Sequence, residues 1–324
     1  MFKKYVCLLL ASLLMTGCAS RAEAPQMADR PAASPDIAIP LPVDGDGLPV
    51  LEVFVLAEET IRPMDIETYL CGVVAGEMRN DWPMEALRAQ AILARTFVLK
   101  FVTEKESRYE GADVSTDITE AQAYKEESIN DRVREAVRST AGMVLVTENG
   151  ELPYTWFHAH SGGKTALAVE GLNWQGDEPG YTAVTEGLDS DAAPDDAKEW
   201  AATFSVKEFL AACRTAGAVA ETAQRVEVKE KGDSGRAVTL SVDGTQVNAA
   251  RLRLALGSTV MRSTLLTELE SDGREVRMAG RGYGHGVGMP QWGAYALAQD
   301  GYLGEEIATY YYKGLTLIRL WNEP

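Results

Sequence analysis

The sequence predicts an α+β protein of two lobes: a mixed helix and strand core with a strand-rich subdomain inserted at about residues 170–265. Two early stretches, 65–75 and 84–101, carry apolar residues at helical spacings of three and four. Between 170 and 265 the texture changes to an acidic loop and short strands with Gly-centred turns. Beyond it a glycine-rich loop and two further helices return. At 324 residues the chain is one large domain or two ordinary ones. Hydrophobic residues at 46% and charged residues at 24% fit a globular protein.

Lys3 and Lys4 precede an apolar run from Tyr5 to Met15. That run is shorter than the roughly 20 residues of a bilayer span. Residues 1–17 resemble a bacterial lipoprotein signal peptide, with Met15-Thr16-Gly17-Cys18 in the form of a lipobox. Cys18 is then the acylated N-terminus, and the protein is expected outside the cytoplasmic membrane, held to a membrane by lipid. Ordinary secretion after Ala22-Glu23-Ala24 is the alternative. Residues 18–47, with Pro25, Pro31, Pro35, Pro40 and Pro42, read as an extended tether, leaving 48–324 as the folded domain. Cys71 and Cys213 are spaced in no way that indicates a disulfide.

Order is expected to begin with a strand at Leu48–Ala57. Asp65–Ala75 reads as a helix with Ile66, Leu70, Val73 and Val74 on one face, ended by Gly76-Glu77. Asp81 and Pro83 open a second helix, since Asp caps free N–H groups and Pro is tolerated in a first turn. Lys125–Ser139 reads as a third helix. Met143–Val146 and Tyr154–Phe157 read as a strand pair around the turn at Glu148–Glu151. Asp177–Ala197 is an acidic loop and Ser205–Ala216 a helix. Arg225–Lys229, Ala237–Val242, Gln246–Val247, Leu265–Glu270 and Val276–Ala279 are strands. Helices at Gln291–Asp300 and Glu305–Tyr312 and a strand at Leu315–Leu320 complete the chain, which has no internal repeat.

The net charge is −17, and loss of the signal with its two lysines makes it more negative. A body this acidic, without a basic cluster, argues against nucleic acid and other polyanions as partners. Gly280–Gly288 is glycine-dense but contains no G-x-G-x-x-G, so no dinucleotide site is expected. Gly163-Lys164-Thr165 lacks the first glycine of a phosphate loop, and there is no H-E-x-x-H. The chain has three histidines, His158, His160 and His285. They either form a three-histidine zinc site or hydrogen-bond within a polar groove, and the expectation is no cofactor.

Three separated stretches carry a resemblance. They are Tyr69–Phe97, with Y-L-C-G-V-V-A-G-E-M and W-P-M-E-A-L-R-A-Q-A-I-L-A-R-T-F; His158–Thr165, H-A-H-S-G-G-K-T; and Gly280–Ala294, G-R-G-Y-G-H-G-V-G-M-P-Q-W-G-A, followed by Tyr310-Tyr311-Tyr312-Lys313-Gly314. In order and spacing they resemble the stage II sporulation protein D (SpoIID/LytB) family over about residues 50–320. The resemblance implies peptidoglycan remodelling. Sporulation members look like lytic transglycosylases that cut glycan strands stripped of stem peptides, and others modify a partner amidase. It places the catalytic acid on Glu77 and implicates Arg95 in the same groove.

Glu77 follows an apolar run, and a carboxyl in a partly dry place keeps its proton. A capping or salt-bridged surface Glu, with Arg79 or Arg88, is the alternative. The matched motifs hold no second acid for a two-carboxylate glycosidase. One carboxyl suffices if the C6 hydroxyl of N-acetylmuramic acid attacks C1, leaving a 1,6-anhydro end. Gln122, His158, His160, Ser161, Gly162, Gly163, Tyr283, His285, Gln291 and Trp292 are expected to build the groove, with Arg95 on the lactyl carboxylate. The chain departs from relatives that carry Cys before the central Gln: Ala121 stands there, before Gln122 and Tyr124, which weakens a zinc site. It also has Pro290-Gln291-Trp292 where many have Ser-Gln-Tyr. The rival is a binding module that stimulates an amidase without cutting.

Overall fold

The computed structural model describes residues 37–322, so the expected signal, Cys18 and the first part of the tether lie outside the described residues. Strands β1 (Val50–Val55) and β2 (Thr60–Asp65) pair antiparallel, Val50 opposite Asp65. β1 alternates as a half-buried strand does, with Leu51, Val53 and Val55 inside and Glu52 out. Asp65 ends β2 and caps α1 (Ile66–Glu77), accepting the Thr68 N–H at 2.9 Å. α1 runs two residues past its expected end. Gly76 does not break the helix; the chain leaves at Met78, whose backbone is extended.

Helix α2 (Met84–Glu104) starts behind Pro83 and is the hub of the larger core. It is buried almost all round, from Ala86 to Phe101. β3 (Val114–Ser115) lies parallel to β1. The third expected helix is divided. A 3-10 turn at Glu126–Ser128 precedes α3 (Asp131–Ser139), because Asn130 takes the Val133 N–H at 3.0 Å and starts a new helix there.

The expected strand pair over 143–157 does not form. β4 (Met143–Val146) pairs instead with the last strand. Tyr154 and Trp156 turn into an aromatic cluster with Trp174 and Tyr181, and Tyr181 Oη accepts the Tyr154 N–H at 3.1 Å. What remains is the short β5 (Phe157–His158).

Helices α4 (Ala168–Gly171) and α5 (Asp195–Lys198) are short. β6 (Glu199–Ser205) leads into α6 (Val206–Thr215), opened by a capping box between Ser205 and Glu208. β7 (Val226–Lys231), β8 (Ala237–Val242) and β9 (Thr245–Asn248) form an antiparallel meander. α7 (Ala249–Leu256) follows, capped by Asn248. β10 (Leu266–Ser271) and β11 (Glu275–Arg281) complete a sheet with β6. β12 (Met289–Pro290) pairs in parallel with β5. α8 (Gln291–Gln299), α9 (Gly304–Tyr310) and β13 (Thr316–Arg319) return to the first core. The strand β6 and the helix α7 were not anticipated from the sequence; both mix exposed polar with buried apolar residues and take their bounds from tertiary pairing.

Two large apolar clusters and a small one around Ala166, Ala168 and Val287 result among the described residues. The largest draws on residues from Leu51 to Ile318 and the second on residues from Trp200 to Met278. No helix among the described residues is long and apolar enough to cross a membrane.

Candidate active site

Glu77 is the last residue of α1 and is partly buried. Its Oε1 accepts the Ala123 N–H at 2.7 Å. Two glycines make that contact geometrically possible. Gly72 and Gly76 lie four residues apart on one face of α1, where the segment 121–124 crosses. A Cβ on Gly72 would sit 2.1 Å from the Tyr124 ring, and one on Gly76 would sit 2.8 Å from the Ala123 backbone. We therefore expect Gly76→Ala to push that segment away, costing about 1–3 kcal/mol of stability and lengthening the Ala123 contact. A urea melt measures the first. An unchanged melting midpoint would show that the segment moves freely.

The other carboxylate oxygen faces the carboxamide of Gln291, the first residue of α8, with Nε2 at 3.5 Å from Oε2. The same Nε2 lies 3.4 Å from Oε1 of Gln90, which is fully buried in α2. No ion pair to Glu77 occurs among the described residues. Arg79 pairs with Asp81, and Arg88 with Glu85, so neither candidate arginine is its partner. Burial pushes the Glu77 carboxyl up to about 7, and the Ala123 N–H and the Gln291 amide only partly oppose it. Near neutrality this group therefore moves readily between acid and base.

Trp292, the residue after Gln291 in α8, belongs to an aromatic cluster. Trp82 and Trp292 have ring centroids 4.5 Å apart, and Tyr295 lies 5.3 Å from both. Gln122, next to Ala123, is buried with neither side-chain polar atom partnered. The structure brings Gln291 to Glu77 and places Gln122 one residue from the Ala123 N–H that Glu77 accepts.

The Trp292 backbone links this corner to the glycine loops. Its N–H donates to Ala159 O at 3.0 Å and its carbonyl accepts from Ser190 at 3.2 Å. His160 and Tyr283 exchange backbone hydrogen bonds at 3.0 and 2.8 Å. The Tyr283 ring carries the Arg262 guanidinium 5.0 Å from its centroid. Ser161 is fully buried and bonds Asp189 through both its N–H and its hydroxyl. His160, Gly162 and Gly163 line a cavity of about 280 Å³ together with Asp189, Asp191, Lys198, Glu199 and Arg281. Gly163 has φ +119° and open space where a Cβ would go, so backbone is what it offers to a ligand.

Arg95 requires a correction. It is fully buried and does not face a groove. Its Nε and one terminal nitrogen clasp Glu67 at 3.0 and 2.5 Å, and its other contacts are the carbonyls of Met143 at 3.1 Å and Val137 at 3.3 Å. Every side of the guanidinium is used inside the core, so the lactyl-carboxylate role has no geometric basis.

Each histidine ring is engaged by backbone. His158 Nδ1 meets Val287 O at 3.2 Å, His160 Nδ1 accepts Gly162 N–H at 3.0 Å, and His285 Nδ1 accepts Val287 N–H at 3.0 Å. Among the described residues no group of three or more His, Cys, Asp or Glu side chains is arranged to hold a metal ion. The His158 and His285 rings lie tilted to each other with centroids 5.6 Å apart. Burial and neighbouring Arg236 lower both, His285 to about 3. Both fold neutral and would charge on unfolding in acid. Their stability contribution is complete above about pH 6.5 and is lost as pH falls toward 3. Urea midpoints should drop between pH 7 and pH 5, at up to about 1.4 kcal/mol per pH unit for each histidine. A flat profile would contradict the buried neutral pair.

Sequence reading missed three contributors. Asp189 reads as one of several loop acids but is the anchor of the Ser161 turn. Arg236, the residue before β8, is fully buried and donates to the carbonyls of Ser161 at 2.6 Å and Lys164 at 2.9 Å, so the chain entering β8 pins the glycine loop. Gln90 had one signal, a polar side chain between Ala89 and the apolar run Ala91–Ala94.

Glu77 is thus a buried carboxyl, raised to about 7, held by the Ala123 N–H and the Gln291 amide. The stage II sporulation protein family matches residues 57–146, and a domain of unknown function matches residues 184–288. An uncharacterized protein of Brachyspira hyodysenteriae is 30% identical over 259 residues, 80% of this chain and 68% of that one. Stage II sporulation protein D of Bacillus subtilis is 28% identical over 290 residues, 82% of this chain and 77% of that protein. The amidase enhancer of Bacillus subtilis is 29% identical over 294 residues, 76% of this chain and 40% of that protein. The chain belongs to the stage II sporulation protein D family, and its role is cell-wall-related.

Proposed function

We propose that the protein is a peptidoglycan lytic transglycosylase acting outside the cytoplasm on glycan strands already stripped of stem peptides. The observation that carries this reading is Glu77: one carboxyl, raised to about 7, with no carboxylate sharing its hydrogen bonds. Protonated Glu77 gives its proton to the oxygen leaving C1 of N-acetylmuramic acid. The carboxylate then takes the proton of the sugar's own C6 hydroxyl as that oxygen attacks C1. The C1–O bond to N-acetylglucosamine breaks, a C1–O6 bond forms, and Glu77 ends as it began. No water is consumed. The Ala123 N–H and the Gln291 amide stabilise the carboxylate in the middle of this cycle. Trp82, Trp292 and Tyr295 offer faces to sugar rings, and Gly162 and Gly163 let backbone approach them.

The remaining parts follow the same reading. Cys18 is a lipid anchor, residues 18–47 a tether, and the segment of about 170–265 an insertion that braces the groove through Arg236. A partner amidase supplies the stripped strands. A second reading is favoured by one relative, named amidase enhancer: binding and amidase stimulation without cutting. Incubation with intact and with amidase-stripped peptidoglycan separates them. Cutting of stripped strands only is the expected result. Binding with no new strand ends, and an amidase still stimulated by Glu77→Gln, would replace this reading with the second.

A further inference from the structure

We propose that Gln90 is a positioning residue, forming with Gln291 a two-state pair of amides that turns over with the proton on Glu77. The proposal rests on Glu77 being the acid described above, but its geometry stands apart from any activity. Gln291 Nε2 lies 3.5 Å from Glu77 Oε2 and 3.4 Å from Gln90 Oε1, so one NH2 group serves both acceptors. Gln90 is fully buried, and its own Nε2 has no partner.

A carboxamide has two orientations of nearly the same shape and opposite polarity. The arrangement seen is the one that fits an ionised Glu77. It leaves a buried N–H2 unpaired, the rarer and costlier kind of orphan. With Glu77 protonated, the opposite arrangement closes as well. The Glu77 O–H donates to Gln291 Oε1, and Gln90 Nε2 donates to the same oxygen. The orphan is then a carbonyl, which proteins tolerate more often. Gln90 thereby favours the protonated acid at rest, and Gln291 turns its NH2 back once the proton has left. Among the described residues no ion pair to Glu77 competes for this choice. The titratable group facing Glu77 from its own helix is the Tyr69 phenol, which burial holds neutral. From the crossing segment it meets the Ala123 N–H, and from α8 only Gln291.

The test is the titration of Glu77 itself, followed by NMR in the full chain with 13C-labelled glutamate and 15N-labelled glutamine, with Glu77→Gln identifying the signal. In the unaltered protein the side-chain NH2 signals of Gln90 and Gln291 should move with the same midpoint as the Glu77 carboxyl. In Gln90→Met, which keeps the volume but offers no hydrogen bond, that midpoint should fall by about half to one pH unit. Gln90→Asn, polar but too short to reach, should behave like Gln90→Met. An unchanged Glu77 midpoint in either folded variant overturns the proposal, as do Gln signals that ignore the Glu77 titration. Because no cutting is measured, a correct relay in a protein that does not cut would leave the relay standing and remove only the transglycosylase.

Discussion

Glu77→Gln should lose strand cutting by a factor on the order of 10²–10⁴ or more, since one group serves as both acid and base. The same change should stabilise the protein at alkaline pH. The folded protein holds the Glu77 proton up to about pH 7, whereas an unfolded carboxyl releases it near 4.5. Between those values the folded state binds the extra proton. Stability from this group is therefore present below about pH 4.5 and lost as pH rises through 7. Glutamine carries no such cost and can still accept the Ala123 N–H. At pH 8 the variant should be more stable by about 2–3 kcal/mol, and at pH 4 by much less. Urea melts at both values, beside an assay on stripped strands, check the pair of effects. A variant that is inactive and less stable at pH 8 would point to a structural Glu.

Arg95→Ala should be among the most damaging single changes to the fold, at about 3–5 kcal/mol, because it leaves Glu67 with an uncompensated charge. The loss radiates further. Glu67 Oε1 also accepts from the Gly142 N–H at 3.1 Å and from Trp321 Nε1 at 2.9 Å, so the pair ties α1 and α2 to the start of β4 and to the chain's last described turn. Gly142, at φ +68°, admits the Trp321 backbone where a Cβ would stand 2.0 Å from it. Replacing both partners, Arg95→Met with Glu67→Met, should recover much of the loss. Denaturation midpoints decide. An Arg95→Ala protein of unaltered stability that no longer binds stripped strands would restore the arginine to the groove.

Much of this organisation was readable from the amino acids, and the failures share a physical cause. The helices α1 and α2 announced themselves because their apolar spacing and the Pro83 start are local signals. Glu77, Gln122 and Gln291 were named from the sequence, and the fold sets the Gln291 amide against Glu77 and the backbone beside Gln122 on its other oxygen. The strand pair expected around Glu148–Glu151 failed because β4 found its partner at the far end of the chain, a choice no local pattern records. Arg95 was misread for the same reason. An arginine in a motif looks like a ligand until Glu67, 28 residues earlier, is seen to hold it. Gln90 and Asp189 gained meaning only from neighbours distant in sequence.

The most direct test of the proposed chemistry is to cut stripped strands in water enriched in 18O and weigh the new ends. Intramolecular attack by the C6 hydroxyl predicts 1,6-anhydro-N-acetylmuramic acid ends that carry no 18O, formed by the unaltered protein and absent with Glu77→Gln. Reducing ends that carry 18O would show that water attacks C1. That would contradict a lone Glu77 working on the sugar's own hydroxyl and require a second group to activate the water.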